Sequence, residues 1–282
     1  MPSTTEALLE NAERLPSIPH VMHDVVRSMQ DDNVTFSAIA DLVRNDVAIS
    51  ANVLRLANSS YYGSRRKVSN ITDAITLIGL NAFRNRVIAT ALATTFPQAS
   101  GVDLSDFWRG SMLVGNLAHI IGQPLGRDRE LLFSAGLLHE IGKLLIYFFA
   151  TERSAVLEKA TSGAPLAEIR AIESGLLDTN HFELGEDLAR RWAFPESIQA
   201  AIGNYDAPDG ENFVGRVVHV SRIIATGIMN GDPIRDMAAT IPEDMRDQLK
   251  VDLSWFEEQG EVFDALLDES AELVRGANCD RY

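Results

Sequence analysis

Apolar positions recur at three- and four-residue spacing along nearly the whole chain, and convincing period-2 alternation is absent. That spacing places apolar side chains on one face of a helix, so the pattern predicts an all-α protein. Ser3-Thr4-Thr5-Glu6 reads as a capping box that opens a first helix through Ala12. Pro16 and Pro19 bracket a turn, and a second helix is expected over about 20–29. Thr35 caps a third, with Ile39, Leu42 and Val43 inward. Asn45 or Asp46 begins a fourth, whose apolar positions are Ile49, Val53, Leu54, Leu56 and Ala57. Two more are expected near 70–78 and 81–94, with Gly79 as the stop between them.

The segment FPQASGV, 96–102, reads as a joint that divides the chain into an N-terminal helical bundle, 1–98, and a second helical lobe, 99–282. A long amphipathic helix is expected over 103–121, ended by GQPLG at 122–126. Helices follow near 152–161, 165–174, 181–192 (stopped by Pro195), 196–202 and 213–229. Residues 206–212 read as a loop and 231–242 as irregular. Acidic amphipathic helices close the chain. In 255–274 one apolar face holds Phe256, Val262, Phe263, Leu266 and Leu267, and such a face most often packs on its own domain. No fixed-period repeat is present.

The stretch around which the rest is organised is LLFSAGLLHEIGKLLI, 131–146. It is too long for an ordinary strand and too mixed for a membrane span, so a helical reading with a break near Gly142 fits. It buries a His, a Glu and a Lys among leucines and isoleucines, and buried ionisable groups need partners. A metal with further ligands would satisfy them, and so would internal hydrogen bonds.

Charge narrows the functional classes. The formal net charge is −15, from 40 acids against 25 bases, which disfavours a nucleic-acid backbone or an anionic membrane unless the bases are segregated. The single cysteine, Cys279, leaves no internal disulfide and no cysteine-based zinc site, and fits a reducing compartment. The N-terminus has no basic segment before an apolar run, so no signal peptide is read there, and a cytoplasmic protein is expected.

Val53–Val87 reads VLRLANSSYYGSRRKVSNITDAITLIGLNAFRNRV. This string resembles the hallmark region of the HDOD family. LPSIPHVMHDVV before it resembles the family's opening, and LLHEIGKL its central motif, so the likeness runs from about Leu15 to Thr226. The resemblance implies an all-helical, two-lobe fold related to the HD metal-dependent phosphohydrolases, with catalysis lost and a role in bacterial signalling. It also allows the metal ligands of an active hydrolase to be sought one by one. Gly110 stands where the first His would be and cannot ligate. The His-Asp dyad is His139-Glu140, with a carboxylate one methylene longer. His181 matches a ligand of the binuclear branch, Asn204-Tyr205 replace a pair of histidines, and Arg222 replaces the final Asp. Lys143 is retained, as a phosphate-binding or a packing residue.

A catalytic metal needs about three protein ligands and an open position. His139, Glu140 and His181 fall short of a binuclear set, and Arg222 adds positive charge, so a vestigial site of His139, Glu140, Lys143, His181 and Arg222 is expected, with no metal and no cofactor. In it Arg222 or Lys143 serves as the ion partner of a polar plug. His20 and His23 read as a surface pair, and His119 and His219 as core histidines. The one basic concentration, Arg65-Arg66-Lys67 beside Tyr61 and Tyr62, has no helix-turn-helix or RNA-binding motif with it. With Asn58 it forms a candidate protein-interaction surface. The expected function is a non-catalytic signalling module. Its partners by the family resemblance are histidine kinases, response regulators or cyclic-dinucleotide enzymes, with self-association a further possibility. A metal-dependent phosphohydrolase or cyclic-dinucleotide phosphodiesterase is the rival.

Overall fold

The computed structural model describes residues 19–29, 35–58, 67–96, 98–99, 102–149, 151–260, 262–263 and 266–267. The expected first helix, the Tyr61-Tyr62 and Arg65-Arg66 pairs and the end of the tail lie outside them. The fold is all-α. The N-terminal part holds α1 (His20–Ser28), α2 (Phe36–Arg44), α3 (Val47–Ala57), α4 (Ile71–Ile78) and α5 (Leu80–Thr95). Their starts follow from side chains that can accept a helix N–H. Thr35 accepts from Ala38, Asp46 from Ile49 and Asn70 from Asp73. Gly79, at φ 89, makes the reversal between α4 and α5 in a region that a side chain would disfavour.

The joint contains a feature that periodicity did not predict. Gln98–Ala99 (β1) and Val102–Asp103 (β2) pair antiparallel as a two-residue hairpin, too short to leave an alternating pattern. Beyond it lie α6 (Ser105–Gly122), α7 (Arg129–Leu138), α8 (Gly142–Phe149), α9 (Thr151–Thr161), α10 (Leu166–Leu177), α11 (His181–Arg191), α12 (Glu196–Asn204) and α13 (Phe213–Asn230). Three short helices follow: α14 (Ile234–Thr240), α15 (Glu243–Leu249) and α16 (Leu253–Glu258). The segment read as irregular thus contains α14, a helix of seven residues with little room for a periodic pattern. In the closing segment Phe256, Phe263 and Leu266 are buried against the core, while Val262 is exposed.

The buried apolar residues form one cluster that runs from α1 to the closing helices. Polar ties fasten the N-terminal helices to the rest. Asn85 on α5 donates to the Glu130 carbonyl and carboxylate at 2.9 and 2.7 Å and accepts from Ser134 at 2.6 Å. Arg86 donates to Asn116 and lies over the Phe133 ring. The Trp108 indole donates to the Phe96 carbonyl at 2.9 Å. These bonds satisfy polar groups that would otherwise be buried without partners.

The 129–149 stretch is long and apolar enough to cross a membrane by composition, yet 83% of its most apolar window is buried inside the protein. It is two helices in series. The turn His139–Ile141 separates α7 from α8 and presents the polar residues of the central motif. Glycines let neighbours approach it closely. A Cβ at Gly136 would stand 2.8 Å from the Gly115 backbone on α6, and one at Gly142 would stand 2.0 Å from the His181 carbonyl on α11.

Candidate functional site

The turn between α7 and α8 forms the floor of a cleft of about 200 Å³ between α6 and α13. His139, Glu140, Gly110, Val114 and Ala225 line it deeply, and Asp106, Thr226, Met229 and Asn230 stand exposed at the mouth. His139 is 1% exposed. Its Nδ1 lies 2.7 Å from the Gly136 carbonyl and carries the proton for that bond. Nε2 is therefore an acceptor, and it is buried with no hydrogen-bond partner among the described residues. Burial pushes the imidazole down to about 3, with Glu140 opposing and Arg222 adding to the fall, so His139 is neutral at ordinary pH.

Glu140 lies at the centre of a small ion cluster. Lys143, one turn on, donates to its Oε1 at 2.7 Å. Nε and Nη2 of Arg222, from α13, both lie 3.4 Å from the same oxygen. Burial by itself would raise the carboxyl, but Lys143 and then Arg222 hold it well below the usual carboxylate range. Arg222 also donates to Thr226 on its own helix and is 24% exposed.

The second histidine is held by a different set of residues. Asn180 caps α11, which puts His181 on the first turn with its own N–H free to bond. Glu173 on α10 takes that N–H at 2.7 Å and also the ring Nδ1 at 2.7 Å. Burial disfavours the Glu173 charge, and the contacts with His181, which gives it both its backbone N–H and its ring Nδ1–H, outweigh that and leave the carboxyl below its ordinary range. On the far side of the ring the Tyr205 hydroxyl lies 2.6 Å from Nε2. With Glu173 ionised and holding Nδ1–H, Nε2 accepts from the phenol. Burial keeps the phenol far above its ordinary value, so it remains a donor.

Tyr205 also explains why the two histidines do not converge. Its ring is fully buried between them, edge-on to His139 at 5.0 Å and tilted against Phe182 at 4.9 Å. His219 fixes its backbone, with Nδ1 at 2.8 Å from the Tyr205 carbonyl. Among the described residues no three His, Cys, Asp or Glu side chains gather around a common point. A binuclear metal centre of the hydrolase type does not fit these residues. One histidine nitrogen is taken by a phenol, the dyad carboxylate carries two cations, and Gly110 offers no side chain.

Of the residues singled out from the sequence, His139, Glu140 and Arg222 share the cleft, Lys143 joins them through Glu140, and His181 lies behind Tyr205. Asn204 is exposed, and its side chain donates to the Ala200 carbonyl one turn back. His219 is buried, whereas His119 is a correction to the expected core histidines. It is 26% exposed and faces Glu130 at 3.3 Å, because the end of α6 reaches the surface. His20 is exposed and His23 half-buried. Asn58 caps α3 through its side chain, at φ −94, and its amide grips both the N–H and the carbonyl of Val68 at 2.8 Å. These bonds tie the end of α3 to Val68, and Lys67 is exposed, while Tyr61, Tyr62, Arg65 and Arg66 lie outside the described residues. Sequence reading missed Glu173, whose pairing with His181 no short spacing announces, and saw Tyr205 only as a lost ligand.

Known proteins bear on this geometry. A chain from Shewanella amazonensis SB2B, proposed by its name to be a phosphohydrolase, is 26% identical, with 96% of this chain and 98% of that one covered and a TM-score of 0.78. An HDOD domain protein of unknown function from Geobacter sulfurreducens shares the fold at a TM-score of 0.77 and 23% identity, covering 95% and 97%. A proposed signal transduction protein from Marinobacter aquaeolei VT8 does so at 0.73 and 23%, covering 95% of this chain and 60% of that one. An uncharacterized protein of Treponema pallidum (strain Nichols) is 24% identical over 197 residues, which are 68% of this chain and 37% of that relative's length. Residues 15–208 match the HDOD domain model, a span that covers α1 to α12 and the turn bearing His139 and Glu140. The chain belongs to the HDOD domain family.

Proposed function

We propose that the chain is a non-catalytic regulatory module of bacterial signal transduction that acts by binding other proteins. The observation that carries this reading is the Tyr205 hydroxyl on His181 Nε2. The nitrogen that would ligate a metal already has a partner inside the fold, and that partner is itself fully buried. Arg222 beside Glu140 points the same way. The chain's family supports the signalling half of the reading. The proposed partners are histidine kinases, response regulators or cyclic-dinucleotide enzymes in the cytoplasm, and a second copy of this chain is a further class. Nucleic acid is not proposed. Residues 1–98 carry nine acids and nine bases, so the whole net charge of −15 falls on 99–282. A polyanion would meet repulsion around the cleft.

Metal-dependent phosphohydrolysis is the second reading. It is favoured by the fixed Nδ1 positions of His139 and His181 and by the name of the Shewanella amazonensis neighbour. The deciding experiment assays bis(4-nitrophenyl) phosphate turnover with Mn²⁺ or Fe²⁺ supplied, beside affinity capture from the native cell. Absence of turnover together with capture of a signalling protein supports the module. Turnover that disappears in His139→Ala establishes the hydrolase instead.

A further inference from the structure

A histidine that ligates a metal commonly donates its other ring N–H to a backbone carbonyl or a carboxylate, which fixes the tautomer and aims the free nitrogen. Both histidines here have that arrangement. His181 Nδ1 is held by Glu173 and its Nε2 is met by Tyr205. His139 Nδ1 is held by Gly136, and its Nε2 meets no partner although the side chain is 99% buried and lines the cleft. Next to it Glu140 presents a carboxylate to the same cleft. An unpartnered imidazole acceptor beside a carboxylate is a floor suited to a cation.

We infer that the cleft floor is a cation site whose cation is supplied by the chain itself, as the Arg222 guanidinium. This rests on the reading of the site as non-catalytic. Arg222 is the replaceable member of the cluster. Its two contacts to Glu140 are 3.4 Å long, beyond the usual 2.7–2.9 Å of charge-assisted bonds, whereas Lys143 sits at 2.7 Å. Among the described residues the other charged side chain lining the cleft is Asp106 on α6, an exposed carboxylate at the mouth that adds to the pull on a cation. Removing the guanidinium takes a positive charge out of the cleft that Glu140 shares with the unpartnered His139 Nε2 and leaves Lys143 on Glu140, and an aspartate at 222 adds a third donor. Carboxylate and imidazole donors together suit Mn²⁺ or Zn²⁺.

The test uses the full chain with Mn²⁺ as probe, read by calorimetric titration and by thermal melting with and without about 1 mM metal. Wild type should show no stoichiometric binding and no shift. Arg222→Asp should melt lower without metal, regain stability with it, and bind Mn²⁺ at least roughly 10-fold more tightly than wild type. Adding His139→Ala to that variant should abolish the gain. Should Arg222→Asp fail to fold, Arg222→Ala removes the cation without adding a charge, and a smaller gain is expected. A folded variant that gains nothing overturns the inference and leaves the non-catalytic reading standing. Tight stoichiometric Mn²⁺ on wild type overturns both.

Discussion

Tyr205→Phe removes one oxygen atom and leaves the ring. In the wild type that oxygen lies 2.6 Å from His181 Nε2, and the histidine, the phenol and Glu173 are each no more than 1% exposed. The variant therefore leaves a buried imidazole acceptor without its donor. Leaving such a group unsatisfied costs about 1–3 kcal/mol. The packing term should be close to zero, because the ring keeps its contacts with His139 and Phe182. Unfolding entropy scales with length at about 2.1 cal/mol/K per residue, so for a chain of this size the melting temperature should fall by roughly 2–5 °C. Tyr205→Ala, which also empties the ring's volume, should cost about 3–5 kcal/mol. Calorimetric or fluorescence melts of the three proteins at neutral pH supply the comparison. An unchanged melt for Tyr205→Phe would refute the reasoning, since the phenol would then hold nothing in place.

His139 makes stability depend on pH. Its native value near 3 lies below the ordinary imidazole value, so the unfolded chain binds the proton first and stability falls as pH drops through the imidazole range. Between pH 6.5 and 5 that amounts to roughly 2 kcal/mol for a group that stays neutral in the native state. His219, also depressed by burial, acts in the same direction. His139→Ala should lower the melt at neutral pH and flatten the slope between pH 7 and 5, and a slope as steep as wild type would count against the assignment. Gly142→Ala drives a Cβ to 2.0 Å from the His181 carbonyl and 2.5 Å from the Gly185 nitrogen, both backbone, and should cost at least about 1–3 kcal/mol in a urea titration. A neutral result would mean that α8 and α11 are not packed as described. Arg65→Glu with Arg66→Glu should leave the melt normal and reduce partner capture, and a fully retained partner set would remove that loop from the interaction surface.

Much of the helical fold could be read from the sequence. Thr35 and the Asn45-Asp46 pair announced their helices because capping is local chemistry, and Gly79 announced a stop for the same reason. The two-residue hairpin and α14 escaped because so short an element carries too few residues for a period. At the site, the family resemblance pointed to Gly110, Asn204, Tyr205 and Arg222 as departures from a hydrolase's ligands, and Lys143 and Arg222 were named as candidate ion partners of the motif. It could not show that Tyr205 would lie between His139 and His181. That placement depends on how α12 packs against α7 and α11, a contact between residues far apart in the chain. Glu173 was hidden for a similar reason. It stands on α10, across a turn from His181, and nothing in its neighbours marks it as an internal carboxylate.

The central claim is that side chains of the chain itself, Tyr205 on His181 and Lys143 with Arg222 on Glu140, stand in place of a metal at this site. Elemental analysis of protein purified from its native cell without chelators tests that claim most directly. Our account predicts well under one Fe, Mn or Zn per chain, and a melt that a strong chelator does not move. One or more tightly held transition-metal ions per chain, lost together with stability when His139 is changed to alanine, would contradict it.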